Sequence, residues 1–101
     1  MDSGNYFTYI ITNKNSTTLY IGVTNNLELR LKQHKQNSGN PKTFAGRYNC
    51  YYLIYFERFS AATHAIEREK ELKSWNRSKK ESLIKSFNPD WKFLNNEVTE
   101  L

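Results

Sequence analysis

Cysteine is nearly missing. Cys50 stands alone in 101 residues, so no intramolecular disulfide can form and no cysteine-based zinc cluster can be built. That fits a reducing compartment. Long apolar runs are missing too: no stretch approaches the ~18 residues of a membrane span. The opening Met1-Asp2-Ser3-Gly4-Asn5 is too polar for a secretory signal. No membrane association is expected, and the cytoplasm is the default location. There is no internal repeat and no low-complexity tract. Acidic residues are in short supply, with 10 Asp and Glu against 15 Lys and Arg, a net charge of +5. The excess points to an anionic partner, with DNA first and RNA second; a soluble basic surface with no partner is the competing reading.

What is present suits one small domain with a core rich in rings: 38% of residues are hydrophobic and 15% aromatic. The oligomeric state is not legible, and a monomer is assumed. Tyr6 to Thr12 reads as a first strand and Asn13-Lys14-Asn15-Ser16 as turn chemistry. Thr17 to Val23 reads as a second strand, because Leu19, Ile21 and Val23 alternate with Tyr20, Gly22 and Thr24. A turn centred on Lys14-Asn15 sets Tyr9 opposite Tyr20, and pairs Ile10 with Leu19 and Thr8 with Ile21. The second of these faces is apolar and is expected to be the core. The tyrosines share the other face with Gly22, where a missing side chain lets a backbone or ligand come close.

Asn25-Asn26 turns the chain into a helix. Asn26 can cap it, and Leu27 and Leu31 form its inner stripe. Arg30 and His34, four residues apart, project from one side. The helix ends near Asn37, broken by Ser38-Gly39-Asn40-Pro41, and a basic loop with Lys42, Arg47, Phe44 and Tyr48 follows. Tyr51 to Phe56 is so continuous in large residues that it reads as a central strand covered on both faces. Ser60 can cap a second helix that reaches Trp75. At about 100° per residue, Ala62, Ala65, Ile66 and Leu72 share one face, with Glu69 in its middle and Glu67 and Glu71 turned outward. Ser78 starts a third helix, Lys79 to Phe87, stopped by Asn88-Pro89-Asp90. The expected fold is α+β: a small three-stranded antiparallel sheet flanked by helices in the order β-β-α-β-α-α. Residues 1–5 would be a flexible N-terminus, 6–93 the domain and 94–101 a C-terminal tail.

Several residues could carry chemistry. An acid on an apolar helix face is costly unless it is paired or bound to a metal, so Glu69 is either a salt-bridge partner, for instance of Arg30, or a ligand for a hard cation. Arg30 offers a planar fork suited to phosphate oxygens; the ordinary alternative is an exposed helix arginine. Tyr9 and Tyr20 could be plain cross-strand packing. His34 could accept a proton or donate to phosphate, or simply lie on the surface, as is expected for His64. Gly22, Lys32, Lys35, Lys42, Arg47, Arg77, Lys79 and Lys80 are candidate nucleic-acid contacts, the cations through backbone phosphates, which position a strand without reading it. Phe44 and Tyr48 could stack on bases, whereas Trp75 is expected in the core.

Tyr20-Ile21-Gly22 followed by Arg30 and His34 resembles the signature of the GIY-YIG nuclease family. Phe7-Thr8-Tyr9 stands where that family has its first motif, and Ala65-Ile66-Glu67-Arg68-Glu69-Lys70 resembles its metal-binding helix. The likeness runs from Tyr6 to Trp91 and is similar to the short, stand-alone bacterial members. It implies that Glu69 binds a divalent metal, Mg²⁺ or Mn²⁺. By the same resemblance Arg30 holds the scissile phosphate, and one of Tyr9 and Tyr20 helps activate the attacking water with His34 assisting. A free tyrosine loses its proton only near pH 10, so it would need such help. Asn88 would match a late asparagine of the family. The first motif departs from the pattern, with Phe7 and Thr8 where glycine and isoleucine usually stand. No zinc-binding or helix-turn-helix segment follows the domain, so target choice would fall to the chain's own surface or to a partner. The expected function is metal-dependent endonuclease cleavage of DNA in repair or processing. The alternatives are a non-catalytic nucleic-acid-binding module of the same fold and a protein-interaction adaptor whose basic face is incidental.

Overall fold

Three runs of aromatic and β-branched residues pair into one antiparallel sheet of order β2-β1-β3. The computed structural model describes residues 4–98. The strands are β1 (Tyr6–Thr12), β2 (Leu19–Thr24) and β3 (Tyr52–Phe59), and the helices α1 (Leu27–Gln36), α2 (Phe44–Arg47), α3 (Ala62–Ser74) and α4 (Arg77–Phe87), with a 3-10 turn at Asn95–Glu97. The fold is α+β. Among the described residues, no helix is long and apolar enough to cross a membrane.

The central strand is β1, not β3. Tyr9, Ile10 and Ile11 are all fully buried, because both faces of β1 are covered. On one side Phe7, Tyr9 and Ile11 pack with Leu27 and Leu31 of α1 and with Ala45, Cys50 and Leu53. On the other, Ile10 packs with Ile21, Ile54, Tyr55, Leu72 of α3 and Ile84 of α4. The tyrosine face expected to lie open is thus a second core. The large residues of β3 have a different cause. A bulge opposite Ile10 and Ile11 lets the consecutive Ile54 and Tyr55 join one cluster. The outer edge of β3 is closed by the segment after α4. Leu94 N–H donates to the Leu53 carbonyl at 2.7 Å. The Asn95 side chain accepts from Leu53 N–H at 2.9 Å and donates to the Tyr51 carbonyl at 2.8 Å.

The hairpin register differs from expectation by two residues. Tyr9 lies opposite Gly22, Ile10 opposite Ile21 and Ile11 opposite Tyr20. The loop is longer than a centred four-residue turn: the Asn13 side chain accepts from Thr17 and Thr18 N–H, and Ser16 takes a φ of 57°. A shift of two preserves the faces, so Tyr9 and Tyr20 still share one.

Asn26 caps α1 as expected, accepting from Leu29 N–H. Ser60 does not cap α3; Ala61 holds that place without a side-chain bond. Asn76 caps α4, which therefore starts at Arg77. Ile66 is exposed, so the buried face of α3 is narrower than its pattern suggested, with Ala65 and Leu72 carrying it. Two of the chain's expected loose ends partly fall outside the described residues. Within them, Asn5 accepts from Arg58 Nε at 2.5 Å. Past Phe93, Leu94 and Val98 are buried in the α1-side core, so packing continues to Val98.

Candidate functional site

The site grows from one close approach. Gly22 faces Tyr9 across the hairpin, and a Cβ built on it would lie 2.5 Å from the Tyr9 hydroxyl oxygen. Without that Cβ the Tyr9 ring lies across β2, and its hydroxyl meets two residues of α1. His34 Nε2 is 2.8 Å away and Arg30 Nε donates from 3.4 Å. Guanidinium has no acceptor, so the Tyr9 oxygen accepts from Arg30 and its own proton is free to donate to His34 Nε2. Both α1 residues reach the same atom because they stand one turn apart. Arg30 Nη1 also donates to Gln33 Oε1 at 3.3 Å. The Tyr20 ring meets His34 edge-on at 5.4 Å, and Tyr9 meets it similarly at 5.8 Å.

Electrostatics keep this pair neutral. Burial pushes the Tyr9 hydroxyl up to about 12, outweighing the adjacent Arg30 cation. Burial, reinforced by the Arg30 charge, pushes His34 down to about 4. Arg30 is held firmly cationic by its bond to Tyr9, with Tyr20 contributing.

Glu69 comes from α3. Thr8 Oγ1 donates to the Ala65 carbonyl at 2.7 Å, seating the helix against β1, and Glu69 follows one turn later. Its carboxylate is near enough to act on the Tyr9 hydroxyl electrostatically. Its ion-pair partner is Lys73, at 3.4 Å, and not Arg30. Among the described residues no group of three His, Cys, Asp or Glu side chains converges to hold an ion. This donor set does not fit an all-protein cage. It does fit Mg²⁺ or Mn²⁺ bound through one carboxylate, with water and substrate oxygens completing the shell.

Tyr9, Tyr20, Arg30 and His34 therefore meet at one place, with Glu69 close by. The basic candidates scatter. Lys42 and Arg47 are exposed in the α1–α2 segment and on α2, Arg47 donating to the Pro41 carbonyl from 3.4 Å. Lys35 borders a groove with Tyr51, Tyr52 and Phe93. Lys32 lies 3.8 Å from Glu28, and Lys80 is half-buried. Lys79 stands 4.3 Å over the Trp75 ring. Arg77 is consumed by structure: it pairs with Glu81 at 2.8 Å and donates to the Thr17 and Ser16 carbonyls. Asn88 is also spent on backbone, joining the Ile54 and Lys92 carbonyls and Lys92 N–H. His64 is exposed and Trp75 packs on the core, as expected.

One feature of the site escaped the sequence. Gln33, Asn37 and Thr43 join Tyr20, Arg30, His34 and Phe44 around a cavity of about 210 Å³. The spacing of Gln33 and Asn37 from Arg30 on α1 hints at it, but the four residues of α2 carry no helical pattern in the sequence, and α2 closes the far wall.

A family model described as the GIY-YIG catalytic domain matches residues 5–82 of the chain. A UPF0213 protein of Natronomonas pharaonis is 35% identical over 82 residues, which is 81% of this chain and 93% of that protein. Another, from Staphylococcus haemolyticus, is 33% identical over 79 residues, covering 78% and 93%. The solution NMR structure of a UPF0213 protein from Bacillus halodurans is similar over 95% of this chain and 96% of that one, with a TM-score of 0.51 and 27% identity.

Proposed function

This chain belongs to the GIY-YIG catalytic domain family, among the UPF0213 proteins, and from that premise we propose that it is a metal-dependent endonuclease hydrolysing DNA phosphodiester bonds. Its setting on this reading is the cytoplasm, in DNA repair or processing. The observation that carries the proposal is the Tyr9 hydroxyl held between Arg30 and His34 beneath the side-chain-free Gly22, with Glu69 beside it.

The roles follow from exposure and charge. Arg30, permanently cationic and bordering the cavity, holds the scissile phosphate and stabilises the charge that grows on it. Tyr20 lines the cavity, so it is the tyrosine that touches the attacking water. Tyr9 is fully buried and acts as a positioning residue, fixing Arg30 and His34 relative to one another. His34, uncharged at neutral pH, has a single acceptor nitrogen, Nε2, which leaves its bond from the Tyr9 hydroxyl to take the proton that the attacking water releases through Tyr20. Glu69 holds Mg²⁺ or Mn²⁺, which when bound supplies charge neutralisation at the phosphate and leaving oxygens. Lys32, Lys35, Lys42, Arg47 and Lys80 contribute phosphate contacts along the strand.

The test is cleavage of labelled duplex, single-stranded and branched DNA with Mg²⁺ or Mn²⁺. Cutting should require metal and disappear in Glu69→Ala. Arg30→Ala should lower the rate by about 10²–10³-fold, the usual loss when a charge-stabilising donor is removed. Full activity in both variants would defeat the assignment. A second reading, a DNA- or RNA-binding module without catalysis, draws on the lone carboxylate and its lysine partner. It takes over if native protein binds nucleic acid in a salt-sensitive way yet cuts nothing.

A further inference from the structure

Beside Arg30, between α1 and α2, the cavity of about 210 Å³ has walls of two kinds. One is aromatic. The Tyr20 and Phe44 rings lie 26° apart in plane with centroids 6.4 Å apart, and Tyr48 backs Phe44 at 4.9 Å. The other is polar and largely unspent. Gln33 uses its oxygen to accept from Arg30, leaving its NH₂ free. Thr43 Oγ1 accepts from Gly46 N–H at 3.0 Å, leaving its own proton to donate. Among the described residues the Asn37 carboxamide has no side-chain hydrogen bond.

The walls are preformed. Gly39 N–H donates to the Gly46 carbonyl and Cys50 N–H to the Ala45 carbonyl, both at 2.8 Å. A Cβ at Gly46 would come within 2.6 to 2.7 Å of Asn40 O, Thr43 Oγ1 and Asn37 O. The backbone carrying Phe44 is thus clamped to the C-terminal end of α1, and the ring wall stands fixed opposite Gln33 and Asn37. Phe44 is 53% exposed, so its ring is open to a ligand in the cavity.

A nucleotide has the same two-part chemistry: a flat ring with a hydrogen-bonding edge, joined to a phosphate. We infer that this cavity is a nucleobase subsite, in which the base next to the scissile phosphate stacks on Phe44 and Tyr20 while Gln33, Asn37 and Thr43 meet its edge. The placement of the phosphate at Arg30 rests on the nuclease reading above. A base reaches such a wall only after leaving its own stack, so the nucleotide bound here is unpaired or flipped out. Stacking serves every base, and the two carboxamides add a preference by edge.

The test separates the two readings. With metal removed by chelator, so that nothing is cut, the full chain is titrated against a fluorescein-labelled ten-nucleotide oligothymidylate. A strand of equal length made of abasic residues serves as the comparison. The base-bearing strand should bind about tenfold tighter, the scale expected of base–aromatic stacking. Phe44→Ala should bring that ratio near one, whereas Phe93→Ala, an exposed ring outside the cavity, should leave it intact. Equal binding of both strands, an undiminished ratio in Phe44→Ala, or no binding at all overturns the subsite. If native protein cuts DNA with Mg²⁺ but the base makes no difference, the subsite falls and the nuclease reading stands. If the Phe44-dependent preference appears without any cutting, the nuclease reading falls and the subsite remains.

Discussion

His34 shows how much one buried side chain can be asked to do. It packs between two tyrosine rings, accepts from a hydroxyl and lies beside a guanidinium. Its proton affinity is lowered from the usual 6.5 to about 4 by burial and by Arg30. The unfolded chain therefore binds a proton here at a pH where the folded chain does not, and stability must rise with pH through that window. The contribution is intact above about pH 6.5 and is lost as the pH falls toward 4. Thermal unfolding of native protein and His34→Gln at several pH values from 7.5 to 4 checks this. The native melting temperature should fall more steeply; parallel curves would remove His34 as the cause. Gly22 is the other residue on which the site depends. In Gly22→Ala the new methyl meets the Tyr9 hydroxyl and Cζ at 2.5 and 2.6 Å, and the buried ring has no room to retreat. Overpacking of this kind costs about 1–3 kcal/mol. The urea midpoint should drop, and cutting should fall further than stability explains, since the hydroxyl leaves His34 and Arg30. An unchanged rate would show that its position does not matter.

At the scale of elements, the edge of β3 is the most revealing. Asn95 imitates a strand neighbour, bonding Leu53 N–H and the Tyr51 carbonyl with one carboxamide. Asn95→Ala strips both, leaving groups short of partners at a cost of about 1–3 kcal/mol. Hydrogen exchange should then lose protection at Leu53 first, while β1–β2 amides keep theirs; uniform loss would mean that the edge is not a separate unit. Nothing local advertises this role, because residues 94–98 read as a polar tail and their burial needs β3 to be in place. The contrast with α1 is instructive. Asn26, Leu27, Leu31, Arg30 and His34 were legible because cap, stripe and side are all set within one helix by its 3.6-residue repeat. The hairpin lies between these cases. Its strands and faces were legible from alternation, but its register was not. The loop's length depends on Ser16 taking a left-handed conformation and on Asn13 bridging to Thr17 and Thr18.

Over the whole molecule, charge and engagement part company. The chain carries a net +5, yet its cations are not equivalent. Arg77 is tied to the hairpin turn and to Glu81, whereas Lys42 is exposed and among the described residues has no ion-pair partner. Lys42→Ala should reduce the slope of log affinity against log salt by about 0.7–0.9, one phosphate contact's worth. Arg77→Ala should leave that slope alone and lower the melting temperature instead. The reverse pattern would place the nucleic-acid path over α4. Composition, strand alternation, the helix stripe and the run of Tyr20, Gly22, Arg30 and His34 were enough to set the α+β class and the residues that meet at the site. These are local or additive properties, readable one element at a time. Tertiary structure decided the rest. It buried both faces of β1, making Tyr9 a supporting residue and leaving Tyr20 at the cavity. It made braces of Arg77, a candidate phosphate contact, and of Asn88, matched by resemblance to a late family asparagine, gave Glu69 a lysine neighbour, and brought α2 across from Gln33 and Asn37. Each depends on which distant backbone or side chain arrives alongside. That follows from the burial of two separate cores across one sheet, and no window of sequence contains it.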